Sequence, residues 1–214
     1  MRRISMVLCT LLAVALSATA ASAAGNAFHF KASGPGAEGF WSTCPFEPGP
    51  NTVCTDTFLF TADQAVREDG TRFQDTFLFI DQFIYKFDRR GNFVFISETF
   101  GFASGADVSL VVDRNLTTAN VDATVALETC DENFTCMDAG TGAVSASWTG
   151  VGELGRVSEK FTFRTKTFME KFTFRGKMRD AIATGDLDGV DFGDSLFADI
   201  FNATSSDLFV CHGC

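Results

Sequence analysis

The chain has 214 residues, is 46% hydrophobic and carries a formal net charge of −10, which suits one domain with a full apolar core and argues against general binding to nucleic acid or anionic membranes. It contains only two histidines, which leaves little for a histidine-based hydrolase or a zinc centre to use. Its 25 phenylalanines stand against one tyrosine and two tryptophans, a balance that points to a buried aromatic core.

The first residues have the layout of a cleaved secretory signal: Arg2 and Arg3, an apolar run from Met6 to Leu16, and the small residues Ala21-Ser22-Ala23-Ala24. Residues 1–24 are read as this signal and residues 25–214 as one β-rich domain exported from the cell. Ile4-Ser5-Met6 after the arginines is a poor match to twin-arginine export. No later segment reaches the roughly 18 uninterrupted apolar residues of a membrane helix. Outside the signal, Cys44, Cys54, Cys130, Cys136, Cys211 and Cys214 form an even set in an oxidising compartment. They cluster into three close pairs, so the economical bridges are Cys44–Cys54, Cys130–Cys136 and Cys211–Cys214.

Along the body, apolar and polar residues alternate over runs broken by Gly, Asp and Asn, the period of antiparallel strands. From Phe77 to Phe87 the odd positions are Phe77, Phe79, Asp81, Phe83, Tyr85 and Phe87, an aromatic stripe that requires burial. Asp69-Gly70, Arg90-Gly91 and Asp188-Gly189 each separate two strand-like runs and mark hairpins. Thr61 and Gln64 also fit the start of a helical turn, but the Asp-Gly that follows favours the hairpin. Ser109 to Val112 should pair with Val121 to Leu127 around Asn115, and Val144 to Trp148 should form the next strand. Two segments recur: Thr55–Phe60 as Gln74–Phe79, and Glu159–Arg164 as Glu170–Arg175. Their spacings share no period, so they are similar strands rather than a solenoid repeat. The fold class is therefore all-β, a disulfide-stabilised antiparallel barrel or two-sheet sandwich of roughly ten to twelve short strands.

The sharpest charge feature lies between Arg156 and Arg179, where eight basic residues meet only Glu159 and Glu170. On a strand, Lys160, Thr162, Arg164 and Lys166 share one face, with Phe161 and Phe163 on the other. Lys171, Thr173, Arg175, Lys177 and Arg179 repeat this against Phe172 and Phe174. Pairing the two strands would create a basic, Thr-bearing surface suited to an anionic polysaccharide or envelope polymer. The same pattern also serves a Lys-protected sheet face that resists aggregation.

Other chemistry is weakly signalled, and no catalytic residue, metal site or cofactor is assigned. Cys211-His212-Gly213-Cys214 follows a strand-like run instead of opening a helix, so a disulfide is expected rather than a redox pair or zinc ligands. His29, between Phe28 and Phe30, is read as an outward strand residue. Asp75, Asp81, Glu98 and Glu128 are the carboxylates from which a secreted hydrolase would draw an acid–base pair. The acidic run Asp186–Asp194 places Val190 where a calcium loop needs an oxygen, so it reads as a hairpin. Trp41 and Trp148 are expected in the core, Trp41 beside the Cys44 bridge. The alternative to surface binding is a small apolar ligand held inside a Phe-lined barrel.

Overall fold

A computed structural model of the chain describes residues 27–68, 70–165 and 168–212; the expected signal, Lys166 and Cys214 lie outside them. The described residues form eleven antiparallel strands in one sheet. These are β1 (Ala27–Ser42), β2 (Val53–Glu68), β3 (Thr71–Phe87), β4 (Phe93–Ser104), β5 (Val108–Val112), β6 (Thr118–Cys130), β7 (Cys136–Gly150), β8 (Gly155–Arg164), β9 (Phe168–Leu187), β10 (Val190–Asp191) and β11 (Asp194–His212).

The pairing is an up-and-down meander closed on itself. β4 and β5 pair in succession along β6, with only the 3-10 turn Gly105–Asp107 between them. β7 and β8 likewise pair in succession along β9. Counting each such pair as one stave, every stave is bonded to its neighbours in sequence, and β11 returns to β1 to close the ring. The fold is thus a barrel, which leaves no free edge at the level of closure. The two recurring segments prove to be neighbours, β2 beside β3 and β8 beside β9. Antiparallel partners of like pattern keep their apolar faces together.

The strands are long where short ones were expected: β9 has 20 residues and β11 has 19. Local breakers are absorbed as irregularities within strands. Gly34-Pro35-Gly36 stays inside β1, beside a register shift that leaves an extra residue in β11 between Ala203 and Ser206. Thr61 to Glu68 is strand, not helix. Asp188 and Gly189 both take positive φ, 53° and 77°, the geometry of a two-residue turn between right-twisted strands.

The barrel interior holds Trp41, Leu59, Leu78, Ile80, Val121, Val125, Val144, Trp148 and Ile200, with alanines between them, all buried. Trp41 packs on Phe192 and Trp148 with ring centroids 5.2 and 6.3 Å away. Its indole donates to the Ala183 carbonyl at 3.1 Å, and Trp148 donates to the Glu38 carbonyl at 2.9 Å. Leu116, in the β5–β6 turn, is only 1% exposed and also joins this cluster. The lumen is therefore filled by side chains, as small eight-stave barrels commonly are.

A second cluster occupies the opposite face: Phe60, Phe77, Phe172, Phe174, Phe201 and Leu208, with Val157 and Phe161 of β8 packed against it. Glu159, between those two β8 residues, comes close enough to Glu38 of β1 for their charges to interact. β8 and β1 are separated in the sheet by β9 and β11, so beyond the closed barrel the sheet curls back with its Phe face inward. Cys44–Cys54 and Cys130–Cys136 are bonded, with S–S distances of 1.96 and 1.98 Å. They join the β1–β2 and β6–β7 connections. Of the third expected pair, Cys211 is buried in β11, while Cys214 is outside the described residues.

Candidate functional site

The face that lines the lumen does not stay apolar along the strands. In β1 it runs from Trp41, Gly39 and Ala37 to Ser33, Lys31 and His29. In β9 it runs from Ala183 and Ala181 to Lys177, Arg175, Thr173 and Lys171. The change from buried to exposed falls where the ring ends, so each strand encodes the barrel's rim in its own sequence. Past the rim, β8, β9, β11, β1, β2 and β3 continue as an open lip.

The pairing of β8 with β9 brings the basic residues onto this one face. Lys160 is opposite Thr173, Thr162 opposite Lys171 and Ser158 opposite Arg175. Lys160, Arg164, Lys171, Arg175 and Lys177 are exposed. Arg179 stands apart at the rim, half-buried against Gly150, where an added Cβ would lie 2.5 Å from its Cδ. Its Nε is buried without a hydrogen-bond partner.

The register then extends the face beyond the hairpin. Thr173 lies opposite Asp207, Asp207 opposite Lys31, Lys31 opposite Arg67, and Arg67 opposite Arg72. A single cross-strand row, Lys160–Thr173–Asp207–Lys31–Arg67–Arg72, thus crosses six strands, about 24 Å at the usual strand spacing. Its one acid, Asp207, is engaged from β1 alone, by Lys31 Nζ at 2.9 Å and the His29 ring at 3.1 Å. Partial burial raises the Asp207 pKa, but the hydrogen bonds and charges of Lys31 and His29 outweigh it and hold the carboxyl below its ordinary value. Among the described residues, Lys160, Arg164, Lys171, Arg175, Arg67 and Arg72 have no carboxylate partner.

At the β2–β3 end the face deepens into a groove of about 520 Å³, lined by Lys31, Ser33, Arg67, Arg72, Gln74, Thr204 and Ser205 among others. Lys31, Arg67 and Arg72 had not been singled out from the sequence. The opposition of Arg67 and Arg72 was nonetheless implicit in the Asp69-Gly70 hairpin, because a two-residue turn sets residue 67 across from residue 72.

The other candidate chemistry falls elsewhere. Asp81 and Glu98 share the sheet face opposite the lumen; burial first, then the charge and hydrogen bonding of Glu98, push Asp81 up to about 7, and its Oδ1 is buried without a hydrogen-bond partner. Glu128 lies one strand on, opposite Phe100, and Asp75 lies nearer the start of β3. Cys130 and Cys136 converge with Glu128, but their sulfurs are bonded to each other. Phe77, Phe79 and Phe83 alternate with the lumen residues Leu78 and Ile80 and so face away from the interior, which corrects the expectation of a Phe-lined barrel. His29 is exposed, as expected. Oxygens of Asp186, Asp188 and Asp191 accept backbone N–H groups of Gly189, Ala143 and Gly193, the hydrogen bonding of a hairpin turn.

Fold and face together define a closed, packed, up-and-down antiparallel barrel with a cationic lip. No protein-family model matches the chain, and no curated protein matches it.

Proposed function

We propose that this is a secreted, non-catalytic binding protein that holds an anionic polymer of the cell envelope or extracellular space along its cationic lip. The carrying observation is the cross-strand row from Lys160 to Arg72: cations from separate strands arrayed on one exposed face of a chain whose net charge is −10. Segregating cations against the overall charge favours a linear anion over nonspecific adhesion, since the rest of the surface repels it. Thr162 and Thr173 add neutral donors between the charges. The signal-like residues 1–24 and the disulfides support an extracytoplasmic setting, and among the described residues no helix is long and apolar enough to cross a membrane.

The test is retention on immobilised polygalacturonate, dextran sulfate and a glycerol-phosphate polymer at low salt. The protein should bind at least one of these. The variant Lys160→Ala/Arg164→Ala/Lys171→Ala/Arg175→Ala should lose at least about tenfold in affinity, each charge-assisted contact being worth more than a neutral one. Equal retention of that variant, with an unchanged far-UV spectrum, would reject the reading.

A further inference from the structure

We infer that the groove at the β2–β3 end of the lip is a receptor for one tetrahedral oxyanion, a phosphate or sulfate group, gripped between Arg67 and Arg72. The inference rests on the reading of the lip as an anion-binding face. Like charges directly opposite each other on neighbouring strands repel, and nothing in the fold requires two arginines there; both are exposed and neither has a carboxylate partner among the described residues. Lysine meets an anion only as a point charge, whereas opposed guanidinium forks suit an oxyanion that accepts from two sides. Lys31, next in the same row, supplies a third cation, tied on its far side to Asp207.

A second feature of the backbone converges on the same place. The irregularity in β11 puts Thr204 and Ser205 where regular pairing would leave one residue, and both line the groove with Ser33 and Gln74. Bulges re-aim side chains in this way beside binding sites. Cations on three strands, with the Ser33 hydroxyl on β1 and the Thr204 and Ser205 hydroxyls on β11, approach from several directions, which fits three acceptor oxygens better than the two coplanar oxygens of a carboxylate, while the Gln74 amide nitrogen already donates to Asp63. The volume of about 520 Å³ also accommodates a sugar-sized group attached to the anion.

The experiment is calorimetric titration of the full, oxidised protein with inorganic phosphate, sulfate, acetate and glucose 6-phosphate at low ionic strength. Phosphate and sulfate should bind at least about tenfold more tightly than acetate. Arg67→Ala/Arg72→Ala should remove that binding, Arg67→Lys/Arg72→Lys should blunt the preference over acetate, and the quadruple hairpin variant should retain both. Both phosphate sources support the site, and tighter binding of the sugar ester would identify a glycan-borne group as its source. Absence of phosphate and sulfate binding, binding unchanged in the double alanine variant, or acetate bound equally well would overturn the inference. Polymer retention without phosphate binding rejects the groove and spares the lip, whereas phosphate binding without polymer retention rejects the polymer and spares the groove.

Discussion

Glu38 is 1% exposed, sits opposite Asp199, and has an Oε2 with no hydrogen-bond partner. Burial, reinforced by the charges of Asp199 and Glu159, pushes its pKa up to about 8. Because the folded pKa lies above the unfolded one, the unfolded state releases this proton first as pH rises. Stability therefore falls between about pH 4.5 and 8 and the penalty is complete above that window. Asp81, raised to about 7, acts in the same sense. On the acid side, Asp88, Asp113 and Asp131 are held low by Asn92, by Thr117 and by the Thr135 backbone respectively, and their contribution is lost as pH drops through their folded pKa values. Stability should peak at mildly acidic pH. Urea midpoints measured against pH should show a downward slope from about pH 5 to 8 that flattens in Glu38→Gln; an unaltered slope would show that Glu38 is not its source. Gly36 makes a different kind of prediction. The Phe201 ring lies over it, and an added Cβ would press on that ring and come 2.5 Å from the Thr61 carbonyl oxygen, so Gly36→Ala should destabilise by about 1–3 kcal/mol in urea unfolding.

Among the elements, the hairpins were the most legible. Asp188-Gly189 and Arg90-Gly91 carry their turn chemistry in adjacent residues, and the basic residues from Lys160 to Lys177 needed only period two and one pairing to fall on a common face. Long-range placement was not legible in the same way. Lys31 comes beside Arg67 through the β1–β2 register, and Asp207 comes beside Lys31 only because the last strand returns to the first. Of the aromatic stripe from Phe77 to Phe87 only Phe77 is buried, while Phe79, Phe83, Tyr85 and Phe87 are half-buried, because the cover it finds depends on how the sheet curls. Strand lengths were misjudged because a bulge lets a strand continue through residues that would end it in isolation. The Cys44–Cys54 bridge closes a loop whose separation is 10 residues, so replacing both cysteines with serine should cost about 2–3 kcal/mol by the chain-entropy estimate. Calorimetry would show a lower melting temperature with the β-sheet spectrum retained below it.

At the scale of the whole molecule, one sheet serves two cores. Its lumen face is filled by Trp41, Trp148 and aliphatic residues, and its other face buries the Phe cluster where the lip curls, which leaves the lumen-side face of the lip free to carry charge. Closure places Ala27 opposite Cys211, so a permuted chain that joins these ends by a short linker and opens at the exposed residues Gly152–Leu154 should fold to the same β-rich spectrum. Loss of folding would contradict the closed ring. The central functional claim is that several cations of the lip engage a polyanion together. The most direct measurement is the dependence of polyanion affinity on salt, comparing the wild-type chain with the variant Lys160→Ala/Lys171→Ala/Arg67→Ala/Arg72→Ala. Affinity should fall steeply as salt rises for the wild type and with a markedly shallower slope for the variant, because fewer counterions are displaced. Equal slopes, or binding indifferent to salt, would contradict it.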